Sequence, residues 1–342
     1  MNKDILPIPQ HFEPHKVGSV WRVPYQQIAT DAVEWRENHK IHAAQQDIFK
    51  IALLLVDVQN TFCLPDFELF VRGKSGRGAV EDNERLSRFI YRNLHRISRI
   101  YASLDTHQAI QIFHSIFLVD GEGNHPDPFS VITVEDLRSR WKIDPLVAQE
   151  MGLSPSQAAS YAQHYARSLH QRERLDWTIW PYHAMLGGIG HALVAAVHEA
   201  IFFHSICRHT NPRYIEKGDN PFSEHYSLIG PEVLKTPEGK TIAAKDSSLV
   251  QEWIGFDALL IAGQAQSHCV AWTVEDLLSR PEVEERGFAN SIYLLEDCTS
   301  PVVIPEAVDY SDSAESAFER FSKKGAHRVE STSSLSEILA VR

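Results

Sequence analysis

The chain has 342 residues, 43% hydrophobic and 23% charged, with a formal net charge of -12, which suits one large cored α/β domain with additions or two small domains. So acidic a surface repels phosphate backbones, and no basic run offsets it, so nucleic acid is not an expected partner. No apolar stretch approaches the roughly 20 residues that a membrane-spanning helix needs, and the polar, Pro-rich start lacks the apolar core of a signal peptide.

Residues 1–45 read as an N-terminal extension whose Trp21, Tyr25 and Trp35 predict that it packs on the rest of the chain, 46–342. "IALLLV" (51–56) is a continuous apolar run ending at Asp57, the pattern of a parallel strand buried on both faces. Residues 82–100 repeat apolar positions at helical spacing, with Asp82 or Asn83 as the N-cap. "YASLDTH" (101–107) is a second strand. Residues 133–178 read as helical throughout, with Ser154 or Ser156 capping the longer helix. Residues 190–207 are apolar nearly all round, hence a buried helix. Strands follow at 213–218, 256–263 and 291–297, a helix at 269–280, and a last helix at 313–326 closed by Gly325. Strands alternating with helices imply an α/β fold with a parallel sheet and helices on its faces.

Four cysteines, Cys63, Cys207, Cys269 and Cys298, lie far apart without a C-x-x-C pair, which argues against a zinc ribbon and suits a reducing cytoplasm. In open parallel sheets, sites form at the carboxyl ends of strands. Those ends carry Asp57, the pair Asp105 and His107, Lys217, and Cys269 after a short turn. Each has a bland reading: Asp57 as a helix cap, Lys217 as a solvated cation, Cys269 as a core thiol. Together they have a chemical one. An ammonium favours a thiolate, and a carboxylate can take the thiol proton and return it to a leaving group. A helix N-terminus behind the cysteine adds its dipole and its N–H groups. The D-x-H spacing puts Asp105 and His107 on one face of an extended segment, and a carboxylate with imidazoles suits zinc, iron or manganese.

The segments "LLLVDVQNTFCLPD" (53–66), "SLDTH" (103–107), "WPYH" (180–183), "EKG" (216–218) and "GQAQSHCV" (263–270) occur in the order that marks the isochorismatase-like cysteine hydrolases, and among them most resemble the metal-containing nicotinamidases. The resemblance implies a three-layer αβα parallel-sheet hydrolase fold, here carrying the N-terminal extension and a helical insertion at 133–178. It also implies hydrolysis of a small, nicotinamide-like amide to an acid and ammonia through a thioester. By the same resemblance, Asp57 is the acid/base, Lys217 the stabilising charge and Cys269 the nucleophile. A cis Gln264–Ala265 bond aims the N–H groups of Ala265 and Cys269 into an oxyanion hole. Phe62, Trp180 and Gln264 line the substrate pocket. Asp105, His107 and His183 hold a divalent ion, zinc first and iron or manganese next, which grips a ring nitrogen. Self-association into a homo-oligomer is also implied.

Departures from the family pattern bear on the substrate: Gln266 where Thr is usual, Ala184 where Cys often follows the W-P-x-H histidine, the two additions, and no Pro-rich loop after His107. His114 is open between a fourth ligand, a pocket residue and a core residue. Glu224 and His225 are candidates for the pocket rim, and His268 for either pocket or core. His191, His198 and His204 read as packed or interface residues. "GGIG" (187–190) lacks the strand and the acidic residue that a dinucleotide site needs. The alternatives are a metal-free relative acting on isochorismate or an N-carbamoyl amide, or a non-catalytic binding protein on the same fold.

Overall fold

The computed structural model describes residues 5–172, 175–304, 306 and 308–340. Its centre is a six-stranded, all-parallel sheet built from β1 (Ile51–Val56), β2 (Arg99–Asp105), β3 (Arg213–Lys217), β4 (Ala258–Gly263), β5 (Ile292–Leu295) and β6 (His327–Val329). The strand order is β6-β5-β4-β1-β2-β3. All six residues of β1 are buried, as a strand covered on both faces requires.

Because successive side chains leave a strand on opposite sides, β1 feeds two cores. Ile51, Leu53 and Leu55 pack on one face with Leu86, Phe89 and Ile90 of α2 (Gly78–Asn93) and with Val197 and Ile201 of α4 (Ala195–Arg208). Ala52, Leu54 and Val56 pack on the other with Val274 and Leu277 of α5 (Ala271–Leu278) and with Phe318 and Phe321 of α6 (Ser311–Lys323). The result is the expected αβα sandwich. No helix of the described residues is long and apolar enough to cross a membrane.

The N-terminal extension is a working layer of the first core. Its helix α1 (Tyr25–His39) buries Ile28 and Ala32. The Tyr25 ring meets the Phe202 ring at 5.1 Å, and Trp35 meets Phe203 at 6.0 Å. His198, read as a packing residue, places Nδ1 3.1 Å from the Tyr25 hydroxyl. His204 is buried, its Nε2 2.9 Å from the Ile97 carbonyl.

Three sequence expectations are corrected. The helix expected at 82–100 runs from Gly78 to Asn93 with Arg77 at its N-cap. Asp82 and Asn83 are buried in its second turn, where the Asp82 carboxylate accepts from Gln264 and Arg85 rather than capping the helix. The helix expected at 190–207 begins at Ala195. The 133–178 insertion is not helical throughout. It holds short helices at Asp136–Ser139 and Pro145–Glu150 and the long α3 (Pro155–Gln171), while positions 173 and 174 lie outside the described residues. Two small antiparallel pairs tie it down, Leu118–Val119 with Lys142–Ile143 and Val131–Ile132 with Trp177–Thr178. Pro145 and Pro155 each open a helix behind a capping side chain, Asp144 and Ser154, because proline suits the first helical turn and stops whatever precedes it. The insertion has a core of its own, including Phe117, Trp141, Tyr165 and Trp177.

One buried polar group ties the extension to the sheet layer. The Tyr91 hydroxyl donates to Glu199 at 3.1 Å, with His11 Nε2 3.2 Å from the same hydroxyl. Burial raises the Glu199 carboxyl to about 7, with Tyr91 opposing. Its unfolded value is near 4.5, so between those two pH values the folded state binds the extra proton and stability falls as pH rises. Glu199→Gln keeps the acceptor without the charge. It is expected to raise stability by about 1–2 kcal/mol at pH 8.5 and by much less at pH 5, read as urea midpoints.

Candidate active site

The sheet register gathers the candidate residues. Asp105 pairs with Lys217 across β2 and β3, and Val56, just before Asp57, pairs with Gly263 across β1 and β4. The carboxyl ends of four strands therefore meet at one edge. Asp57 is fully buried and sits at φ +46°, a left-handed conformation that Asp tolerates better than most residues and that costs about 1–2 kcal/mol. Ser103 on β2 holds it there: the Asp57 N–H donates to Ser103 Oγ at 2.9 Å, and that hydroxyl donates to Asp57 Oδ1 at 2.5 Å.

Lys217 is the hub. Its ammonium, 1% exposed, lies 2.8 Å from Asp105 Oδ1, 3.1 Å from Asp57 Oδ2, 2.9 Å from the His225 carbonyl and 3.7 Å from Cys269 Sγ. Burial alone would lower its pKa, but the carboxylates of Asp105 and Asp57 outweigh burial and hold it well above the usual value. Burial raises Asp57, against the pull of Lys217. It also raises the Cys269 thiol well above its usual value, with Lys217 opposing. Burial thus favours the uncharged form of the thiol, beside a fixed cation.

The Gln264–Ala265 bond is cis, as expected from the sequence. Cys269 lies in a π-helical turn, Gln266–Val270, that leads into α5. Gln264 lines the cleft but spends its amide on Asp82 at 2.8 Å.

Beyond Lys217 three imidazoles meet. The ring nitrogens that His107, His114 and His183 can offer lie within 4.8 Å of one another. Each ring has Nδ1 on a backbone carbonyl: His107 on His183 at 3.1 Å, His114 on Ala109 at 3.2 Å, His183 on Pro181 at 2.7 Å. A carbonyl can only accept, so Nδ1 carries the hydrogen; in a neutral ring Nε2 then keeps its lone pair, the arrangement in which imidazole binds metals. His114 leaves Nε2 buried and without a hydrogen-bond partner; burial would lower His107, but the Asp105 carboxylate at its Nε2 outweighs burial and raises it. Burial lowers His114 to about 4 and His183 well below its usual value. Asp105 stands between this cluster and the lysine, with Oδ1 3.1 Å from His107 Nε2 and Oδ2 3.7 Å from His183 Nε2. The donor set fits a divalent ion, and it includes His114, which the sequence left open.

The cleft over these groups is lined by Phe62, Trp180, Gln264, Ala265, His268 and Cys269 among others. Trp180 donates to the Tyr226 hydroxyl at 3.0 Å, and the Phe62 ring stands 5.7 Å from His183. Glu224 is buried and faces the cleft, whereas His225 accepts the Gly218 N–H through Nδ1. Sequence reasoning gave no role to Ser103, or to Gln59, whose amide clamps both backbone groups of Asp105 at 2.7 and 2.8 Å; their only signal was their place in the "VDVQN" and "SLDTH" motifs. It missed Tyr226, Phe67, Phe70, Phe129 and the hairpin at 302–304 as cleft walls, for which nothing local gives a signal.

Gly218 has φ +88°, and a Cβ there would stand 2.7 Å from Asp105 Oδ1 and 2.9 Å from His107 Nε2. Gly218→Ala is therefore expected to destabilise the fold by about 2 kcal/mol or more, measured by urea unfolding.

No protein-family model matches the sequence, and no curated protein matches it. Solved structures do. The chain is similar to a nicotinamidase/pyrazinamidase of Acinetobacter baumanii, at 18% identity and TM-score 0.51 over 84% of this chain and 99% of that one. It is similar to the yeast nicotinamidase at 20% identity and TM-score 0.50, over 82% of this chain and 99% of that one. The same yeast enzyme bound to the inhibitor nicotinaldehyde aligns at 18% identity and TM-score 0.50. What this chain shares with them is the fold.

Proposed function

We propose that this chain is a cysteine amidohydrolase of the nicotinamidase type, cleaving a small primary amide to its acid and ammonia. The observation that carries the proposal is the buried Lys217 ammonium, within reach of Asp57, Asp105 and Cys269 at once. A solvated lysine or a core cysteine gives no such convergence.

In the proposed reaction, Cys269 Sγ attacks the amide carbon while its proton passes to Asp57. The raised carboxyl of Asp57 is a better proton acceptor than an ordinary aspartate. Lys217 stabilises the developing sulfur charge, and the N–H groups of Ala265 and Cys269 take the oxyanion. Asp57 returns the proton to the amide nitrogen, the C–N bond breaks, ammonia leaves and a thioester remains. A water then gives its proton to Asp57 and attacks the thioester. The C–S bond breaks, the acid leaves, and the thiol recovers its proton. Phe62 and Trp180 flank the bound ring.

Asp105, His107 and His183, with His114 beside them, would hold a divalent ion, zinc being the best match to imidazole and carboxylate donors. When bound, that ion supplies a Lewis-acid anchor for a ring nitrogen. The pinned Nδ1 atoms, the orphaned His114 Nε2 and the approach of the three rings favour this metal-containing reading over a metal-free relative.

Two outcomes test the proposal. Purified protein is expected to release ammonia from at least one member of a panel of primary amides that includes nicotinamide, and Cys269→Ala to reduce that release to background. Elemental analysis is expected to find about one divalent ion per chain, lost or strongly depleted in His107→Ala, as removal of a buried ligand predicts. A wild-type protein inert towards the whole panel, or metal-free after zinc loading, contradicts the corresponding part.

A further inference from the structure

The turn that carries the nucleophile is fastened from outside the cleft. Gln264 and Asp82 are both buried, 1% and 2% exposed. Gln264 follows the last residue of β4 and precedes Ala265. Its N–H donates to the Val56 carbonyl at 2.8 Å. Its side chain reaches out of the turn: Nε2 donates to Asp82 Oδ2 at 2.8 Å, and Oε1 accepts the Ser300 N–H at 3.4 Å. The Ser300 carbonyl in turn accepts the Gln266 N–H at 2.8 Å, and Ser267 Oγ accepts the Val302 N–H at 3.1 Å. Ala265 lies between these fastened residues and lines the cleft.

The far end of the tether is rigid. Asp82 belongs to the second turn of α2, whose first residue, Gly78, lies close against the 300 loop: a Cβ on it would stand 2.5 Å from Ser300 Oγ. Asp82 Oδ1 accepts from Arg85 at 2.8 Å, and Arg85 also donates to the Asp297 carbonyl. Burial raises the Asp82 carboxyl to about 6, against Ser300, Gln264 and Arg85. The Arg85 side chain is 38% exposed, and a buried carboxylate paired with so open a partner is a poor source of stability. What it supplies is position, because a group that serves a reaction must be locked in place by the hydrogen bonds of its neighbours.

We infer that Asp82 is a positioning residue for catalysis: acting through the Gln264 side chain, it fixes the Ala265 N–H where the oxyanion forms. The inference rests on the amidase reading. Asp82 is not part of the cleft lining, so its effect falls on the transition state and not on substrate binding.

The test measures ammonia release by the full-length protein from nicotinamide, or from the fastest-cleaved amide of the panel above. Asp82→Asn leaves one acceptor oxygen for two donors. It is expected to lower kcat and kcat/KM together by about tenfold or more, with KM held within about threefold, the pattern of a lost transition-state interaction. Gln264→Glu sets carboxylate against carboxylate and is expected to do the same. In the double variant the new amide at 82 donates to the new carboxylate at 264 and offers its oxygen to Arg85, while that carboxylate still accepts the Ser300 N–H. Its kcat is expected to return to within about threefold of the wild type, as coupling between two residues in contact predicts. Asp82→Glu, which keeps the charge and moves it by one methylene, takes the place of Asp82→Asn if the latter does not fold, and the same fall in kcat is expected. Urea midpoints establish that the variants compared are folded. An unchanged kcat in the folded Asp82 variant, or a loss through KM alone, overturns the inference and leaves the amidase reading intact. A double variant that recovers no activity overturns the route through Gln264. A wild type that releases ammonia from no primary amide removes the amidase reading itself and this inference with it.

Discussion

A fully buried ammonium must be paired or pay heavily for lost hydration. Lys217 is such a group, and two carboxylates, a carbonyl and a sulfur surround it. Satisfying it fixes the rest of the edge. Asp57 and Asp105 can be buried without being neutralised together because one cation lies between them. Their strands must then be β3's neighbour and next neighbour, which is the order the sheet has. Gly263 shows how closely the backbones approach there: a Cβ on it would stand 2.0 Å from the Val56 carbonyl oxygen. The thiol arrives from the fourth strand into a field already set.

Asp105 belongs to two groups. One oxygen serves the lysine, and both face imidazoles. The thiol side and the histidine side of the cleft are thus joined through a single carboxylate, which Gln59 holds by its backbone rather than by its side chain. The carboxylate oxygens stay free for their charged neighbours. Backbone carbonyls perform the equivalent task for the three histidines, orienting each ring from behind.

Much of this was legible in the sequence. Strands buried on both faces declare themselves as apolar runs, and a polar residue ending such a run is conspicuous, so Asp57, Asp105 and Lys217 were found by position. Cys269 alone reads as a core thiol, and only Asp57 and Lys217 at neighbouring strand ends mark it as reactive. Where the structure departs from the sequence pattern, the deciding contact is distant in sequence. Asp82 looks like a helix cap, yet its partner Gln264 is 182 residues away. The insertion has helical composition, but its prolines and two short strand pairs divide it. His114 follows an aromatic residue in a loop, and only the fold reveals that its ring meets those of His107 and His183. Cleft walls such as Phe129 and Ile304 are set by how loops fall across one another, which no local pattern encodes.

The separate core of the insertion carries a further consequence. Phe129 and Trp180 flank the Val131–Ile132 and Trp177–Thr178 pair, and the insertion has its own core at Phe117, Trp141, Tyr165 and Trp177, joined to the site where the Tyr165 hydroxyl accepts the Glu224 N–H. Changes there reach the strand ends only by way of such contacts as Phe113 against His107. The reacting groups and the walls over them therefore rest on different foundations: a buried charge fixes the first, and an apolar core outside the sheet sandwich supports the second.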